Sequence, residues 1–375
     1  MKPAVHQFLP TFAGRDAIGA HVLHLRALLR GAGFESDIFA DDIHTEMKGE
    51  ARPYAEFSRR SRRGTDDEWL LYHASTGSPM AESLLARANP LILYYHNITQ
   101  PRLFDRWNPE AAACMRDARV ELRRLAPRTT LAIANSSFSE AELVATGFAR
   151  TAVVPVLVDF TEYAAPPAPR PLARLRRAGA DGSAHWLFVG RIAPNKCQHD
   201  VVAAFAVYQR LYDPGARLTL VGGRTADSYW RALEAMVADL GISGAVQLAE
   251  TIPFSTLLAH YRTASVFVCL SEHEGFCVPL LEAMHFGLPV VCFDSSAVGE
   301  TVGDAGLVLP DKDPLVVAGA VRRVLTDAPL LAGLRAAGEA RARHFALAET
   351  SRLMLDTITG VLTGNAVRPA GGQGA

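Results

Sequence analysis

Short apolar runs recur along the whole chain, and most are followed by a stretch with helical periodicity. In the first half they fall at 5–9, 36–40, 69–73, 91–95, 131–134 and 152–155; in the second at 186–190, 218–221, 246–249, 266–270, 290–293 and 307–309. This alternation points to parallel sheets, because parallel strands need a crossover and a helix is the usual one. The stretch 19–30 places Val22, Leu25, Leu28 and Leu29 on one face and stops at Gly31 and Gly33, which predicts a helix. Between 161 and 183 the alternation breaks at Pro166, Pro167, Pro169 and Pro171, residues unsuited to the interior of a strand or helix. The expected organisation is therefore two doubly wound α/β domains, 1–162 and 184–344, with 163–183 as linker and a disordered tail at 365–375.

Composition narrows the function classes. A chain of 375 residues, 49% hydrophobic and 21% charged, can bury more than one core. A net charge of −1 offers no basic field for nucleic acid. The apolar runs are too short for a bilayer, and the first residues lack the apolar core of a signal peptide. Five scattered cysteines without a CxxC pair suggest reduced, mostly buried thiols and a cytoplasmic protein. In that compartment the acceptor-like triplets at Asn97 and Asn135 are chance matches.

In doubly wound sheets ligands bind beyond the carboxyl ends of the strands, so chemistry is sought in the loops there. After the run at 266–270 come Glu274, Gly275 and Pro279, with Glu282 expected in the first turn of a helix opened by Pro279. A helix N-terminus binds anions, and carboxylates around it can take the hydroxyls of whatever carries the phosphate; together they suggest a nucleotide-sugar. After the run at 186–190, Arg191 and Lys196 are suited to a diphosphate. Plainer readings stand beside these: solvated basic residues, a surface acid at Glu274, and a Glu282 favoured by the helix dipole. His96 ends a strand run and can position or deprotonate a hydroxyl, or simply bond locally. Gly14 and Gly19 let a ligand approach the first loop, where Arg15 or Asp16 could touch it.

Other patterns carry less. No G-x-G-x-x-G stands at a strand–helix junction and no P-loop motif occurs. Asp311-Lys312-Asp313 reads as a turn before Pro314 rather than a metal pair, and His21 with His24 lacks a further ligand. Arginines recur at 59, 60, 62 and 63, and at 116, 119, 123, 124 and 128; the second group, partly at helical spacing, fits either a solvated surface or an anionic lipid or phosphorylated acceptor.

The segment EHEGFCVPLLEAMHFGLPVV, with seven residues between Glu274 and Glu282, resembles the E-x7-E signature of retaining glycosyltransferases of family 4, also called group 1. VGRIAPNKCQHDVVAAF is similar to that family's donor-phosphate segment, and 14–19, YYHNIT and 134–139 are similar to its acceptor-domain landmarks. The resemblance implies a GT-B fold, two Rossmann-like doubly wound parallel-sheet domains facing a cleft, with about 345–364 returning to the first domain. It implies a retaining, metal-independent hexosyl transfer from a GDP- or UDP-sugar to an acceptor hydroxyl, in polysaccharide or glycolipid biosynthesis. The alternatives on the same fold are a nucleotide-sugar epimerase and a sugar phosphorylase. By resemblance, Arg191, Lys196, Glu274 and His96 are catalytic. Gly190, Gly222, Gly223, Glu250, Thr251, Gly275, Phe276, Cys277, Val278 and Glu282 bind the donor. Gly14, Arg15, Asp16, Gly19 and Asn97 face the acceptor, a sugar or lipid-linked sugar. No resident cofactor or metal is implied, nucleic acid is not a partner, and the inner membrane face is a candidate peripheral contact. Cys277 departs from the family's usual glycine, and isolated Gly14 and Gly19 depart from its Gly-Gly pair.

Overall fold

A computed structural model of the chain describes residues 4–14, 16–59 and 67–364. It divides into two compact units. The first comprises Met1–Pro101, Glu110–Val158 and Phe345–Ala375; the second comprises Arg102–Pro109 and Asp159–His344.

The first unit holds β1 (Ala4–Phe12), α1 (Ala17–Gly31), β2 (Ile38–Ile43), β3 (Arg52–Pro53), α2 (Tyr54–Ser58), β4 (Glu68–Ala74), α3 (Pro79–Leu85), β5 (Leu91–Tyr95), α4 (Pro109–Leu125), β6 (Thr129–Ala134), α5 (Ser137–Thr146) and β7 (Thr151–Val153). Its strands are all parallel, in the order β3-β2-β1-β4-β5-β6-β7. Asp16 caps α1 by accepting the Ile18 N–H, and the helix then buries Val22, Leu25 and Leu29, as its spacing predicts.

The second unit holds α6 (Pro169–Ala178), β8 (His185–Val189), α7 (Gln198–Leu211), β9 (Arg217–Val221), α8 (Asp227–Asp239), β10 (Val246–Ala249), α9 (Phe254–Tyr261), β11 (Val266–Cys269), α10 (Val278–His285), β12 (Val290–Phe293), α11 (Val298–Val302), β13 (Gly306–Leu309), α12 (Pro314–Thr326) and α13 (Ala328–His344). Its parallel sheet runs β10-β9-β8-β11-β12-β13. Trp186, Phe205, Tyr208 and Leu218 centre its core.

Helix α14 (Leu347–Leu362) belongs to the first unit, where Met354, Ile358 and Val361 are buried with Leu25, Leu29 and Ile92. Each such side chain contributes about 1.5–3 kcal/mol.

Two boundaries differ from expectation. The segment expected as a linker is folded into the second unit: α6 begins at Pro169, and the Ala168 N–H donates to Ser255 O at 2.8 Å. Proline is tolerated in a first helical turn, where its missing N–H has no partner to lose. Residues 102–109, expected in the first domain, join the second, because Trp107 packs edge-on to Tyr229 at 5.2 Å and accepts the Ser228 hydroxyl at 2.6 Å. The expected tail at 365–375 lies outside the described residues, and no helix among those described is long and apolar enough to cross a membrane.

Candidate functional site

The order of the second sheet reverses beside β8, which has β9 on one side and β11 on the other. Loops leaving the carboxyl ends of β8 and β11 therefore diverge at a topological switch point, where doubly wound sheets bind ligands. They are tied together by their own backbone. The Glu272 N–H donates to Asn195 O at 2.9 Å, and Asn195 Nδ2 donates to His273 O at 3.0 Å.

That tie brings Lys196 onto Glu274 in an ion pair. Glu274 is buried, takes the Ser271 hydroxyl at 2.8 Å, and its own N–H donates to Ser296 Oγ at 2.8 Å. Such a pair offsets much of its desolvation cost internally, and breaking one partner leaves the other exposed to that cost. Arg191 is exposed and has no ion-pair partner among the described residues. Two cations and one carboxylate at a switch point suit an anionic ligand that also carries hydroxyls.

Helix α10 starts beside this pair. Its N-cap is Cys277, in the left-handed region at φ 74° with no side-chain cap, which is the physical sense of a position where glycine would be expected. Cys197 repeats the arrangement before α7, at φ 51°. The Cys277 thiol lies within 4.8 Å of the Cys269 thiol, and that neighbour, with burial, pushes Cys277 up while Cys269 is lowered. Both thiols lie within 4.8 Å of the Glu274 carboxylate, a set of atoms that could hold a soft metal only by displacing Lys196. Val278 is the first residue of α10.

Glu282 corrects the sequence expectation. It is the fifth residue of α10, not in the first turn, and its two oxygens accept hydroxyls from Tyr163, at 2.5 Å, and from Tyr261. Burial raises its carboxyl, and these two hydrogen bonds oppose that rise. The glycines also acquire an internal job. A Cβ on Gly222 would lie 1.9 Å from Gly190 O, so this glycine lets two strand-end loops touch; on Gly223 it would meet Thr251 Oγ1 at 3.2 Å. Glu250 is paired with Arg224. Asp311 and Asp313 each accept backbone N–H groups at Oδ1, and Lys312 binds Asp200 at 2.6 Å and Glu272 at 2.8 Å, the pattern of a turn and cap.

In the first unit the reversal lies beside β1, between β2 and β4. His96, just after β5, is joined by Nε2 to His73 Nδ1 at 3.0 Å, and His73 Nε2 meets Gln7 Oε1 at 3.0 Å. His21 lies against them, accepting the Leu157 N–H at Nδ1 (3.1 Å). Burial depresses the basicity of all three imidazoles, with help from one another, so they are neutral. Because His21 Nδ1 is an acceptor, its Nε2 carries the proton and has no lone pair for a metal, which argues against a three-histidine metal site.

The other first-unit candidates serve the fold. Asp16 caps α1, and a Cβ on Gly19 would meet Ala13 O at 2.0 Å, so the close approach is the protein's own backbone rather than a ligand's. Gly14 packs on Met47, while Asn97, at φ 76°, donates to Ser139 Oγ at 3.0 Å. Arg15 and residues 60–66 lie outside the described residues. Of the second basic group, Arg119 pairs with Glu142, Arg124 with Glu82, and Arg128 donates to Arg87 O and Asn89 O. Those three are committed to the fold.

Sequence reasoning did not single out Gln7, His73, Ser271, Tyr163 or Tyr261. Gln7 and His73 had a signal, as polar residues inside wholly buried strand runs. Tyr163 and Tyr261 reach Glu282 through contacts distant in sequence, while Ser271 reaches Glu274 only three residues on.

Two doubly wound parallel sheets with alternating helices make this a GT-B protein. Residues 176–341 match the family of glycosyl transferases group 1. The chain is 34% identical to a D-inositol 3-phosphate glycosyltransferase of Geodermatophilus obscurus over 195 residues, which are 50% of this chain and 43% of the relative. It is 31% identical over 243 residues to a GDP-mannose-dependent alpha-(1-6)-phosphatidylinositol monomannoside mannosyltransferase of Mycolicibacterium smegmatis, 61% of each protein. These matches thus span about half the length of the relatives. Anabaena HepE, solved with UDP-glucose, superimposes with a TM-score of 0.75 at 18% identity over 95% of this chain and 99% of that one, a likeness of fold.

Proposed function

We propose that the chain is a retaining glycosyltransferase that moves a hexosyl group from a GDP- or UDP-sugar to an acceptor hydroxyl. The observation that carries this reading is the Lys196–Glu274 pair at the second sheet's switch point, with Arg191 on the same loop as Lys196 and without an ion-pair partner among the described residues. A nucleotide-sugar supplies what that set lacks: phosphates for the cations and hydroxyls for the carboxylate.

In the reaction the bond from the anomeric carbon to the diphosphate oxygen breaks as the acceptor oxygen bonds to the same face. The acceptor's proton passes to the departing phosphate. Negative charge grows on the diphosphate, where Arg191, Lys196 and the N-terminus of α10 stabilise it. Glu274 holds sugar hydroxyls, and the amides near Cys277 and Val278 approach the phosphate. Glu282 accepts a ribose hydroxyl with lone pairs left over by its two tyrosines. Gly190, Gly222 and Gly223 bring backbone close to the nucleotide, and the Glu250 and Thr251 loop borders the base. The two cations do the work a divalent metal would otherwise do, so EDTA should leave turnover unchanged. The acceptor is a sugar, polyol or lipid-linked sugar in cytoplasmic polysaccharide or glycolipid synthesis.

The test is incubation with UDP-glucose and GDP-mannose against such acceptors, following nucleoside diphosphate release and the product's anomeric configuration by NMR. Transfer with retention is expected. Inversion defeats the stereochemical part; a sugar nucleotide converted without acceptor makes it an epimerase, and dependence on free phosphate makes it a phosphorylase. No turnover, with no thermal shift by UDP or GDP, defeats the reading outright.

A further inference from the structure

The hydrogen-bond chain that crosses the first sheet has one consistent set of protons. Gln7 Nε2 donates to Val22 O at 3.1 Å, which turns its Oε1 toward His73. The His73 Nε2 therefore carries the hydrogen, and in a neutral ring its Nδ1 is a bare acceptor. The atom facing that acceptor, His96 Nε2 at 3.0 Å, must donate. A neutral His96 is then left with an unprotonated Nδ1. That atom has no hydrogen-bond partner among the described residues, yet it is not among their sealed, unpartnered polar atoms as His21 Nε2 is.

We propose that Gln7 and His73 are positioning residues that hold His96 in its Nε2–H tautomer, so that His96 presents Nδ1 as a hydrogen-bond acceptor for a substrate hydroxyl. Their place supports this: Gln7 is on β1, His73 on β4 and His96 directly after β5, so the chain runs across three adjacent strands at the sheet's reversal. The Gln7 and His73 side chains are fully buried, and a buried polar chain keeps one arrangement because any reversal strands a donor against a donor. A bare ring nitrogen attracts O–H and repels phosphate or carboxylate oxygen. His96 thus selects a hydroxyl-bearing group, a sugar, over the anionic part of a nucleotide-sugar. The inference rests on the transferase reading for the identity of that hydroxyl, but the tautomer stands or falls on the first unit alone.

The experiment uses the full chain labelled with 15N-histidine, at neutral pH, with long-range proton–nitrogen correlation to read each ring's protonated nitrogen. His96→Asn assigns the His96 signals by their loss. Protonation at Nε2 in both His73 and His96 is expected, and a wild-type His96 protonated at Nδ1 overturns the proposal. His73→Asn keeps an acceptor oxygen where Nδ1 was; His73→Phe removes it. The first should retain the His96 tautomer and kcat/KM with UDP-glucose or GDP-mannose within about three-fold, and the second should shift the tautomer and lower kcat/KM about ten-fold or more. Equal turnover in the two variants, with the tautomer shifted, also overturns it. Should His73→Phe fail to fold, the wild-type spectrum and His73→Asn still decide. A wild type that turns over neither donor defeats the transferase reading, while the spectrum still judges the tautomer.

Discussion

Both sheets reverse their strand order beside the first strand of the main run, β1 in the first unit and β8 in the second, and each places polar side chains there. The materials differ. The first unit has three neutral imidazoles and an amide, held by directed hydrogen bonds and buried. The second has Lys196 on Glu274, with an exposed Arg191 on the same loop as Lys196. A neutral buried chain has one proton arrangement and can offer a hydroxyl one face. A partly exposed ion pair can exchange partners with an incoming anion. The same topology thus carries a neutral hydrogen-bonded chain in one unit and an ion pair in the other.

Acid should break the first arrangement most severely. His21, His73 and His96 are depressed below the ordinary imidazole value of 6.5 by burial first, so the unfolded chain takes up protons that the folded chain refuses. The stability this represents is present above pH 6.5 and lost as pH falls below it. Each group kept neutral costs up to about 1.4 kcal/mol per pH unit below 6.5. Amide protection in β4 and β5, corrected for intrinsic exchange rates, should fall between about pH 7.5 and 5.5. Protection that does not change would show that these rings are already charged or exposed.

Lys196→Ala should strike the second arrangement next. Losing a cation that stabilises developing charge costs about 2.7–4 kcal/mol, or two to three orders of magnitude in kcat, measured with whichever nucleotide-sugar the wild type uses. The same variant strands Glu274 with only the Ser271 hydroxyl on its carboxylate, so the second unit should also lose stability. Full activity would remove Lys196 from the chemistry.

The strands were legible because a strand buried on both faces reads as an apolar run; 91–95 and 290–293 coincide with β5 and β12. The Lys196 and Glu274 loops were legible as charged loops following strands, and the structure brings the two side chains together. Helix α6 was not, since its prolines look like breakers until they are seen in a first turn. The place of residues 102–109 depends on where Trp107 finds a partner, a contact more than a hundred residues away in sequence that no local pattern encodes. Gln7 was readable in principle, because a polar side chain inside an apolar strand needs a partner, but its partner lies on another strand.

Each unit also closes a strand-end loop on a glycine, and this gives a matched pair of smaller perturbations. Gly222→Ala drives a Cβ to 1.9 Å from Gly190 O, and Gly19→Ala to 2.0 Å from Ala13 O, both against backbone that must shift. Each should cost about 1–3 kcal/mol by denaturant unfolding, confined to its own unit. Gly244→Ala, with open space around its Cβ, should stay within about 0.5 kcal/mol. If Gly222→Ala also matched wild type, the contact between the loops after β8 and β9 would be looser than the geometry requires.

The smallest effect is expected at Cys277. Its left-handed conformation strains a side chain by about 1–2 kcal/mol, which glycine relieves. Glycine also adds about 0.5–1 kcal/mol of chain entropy to be lost on folding, and it forfeits the thiol contact with Cys269. These terms oppose one another, so Cys277→Gly should lie within about 1 kcal/mol of wild type in thermal unfolding. Nucleotide binding, read by titration with UDP or GDP, should survive, because an amide at this turn needs no Cβ. A loss beyond about 2 kcal/mol would mean that the Cys269–Cys277 contact holds the α10 N-terminus in place. The second unit's site would then depend on a contact between buried thiols, and the contrast with the first would narrow.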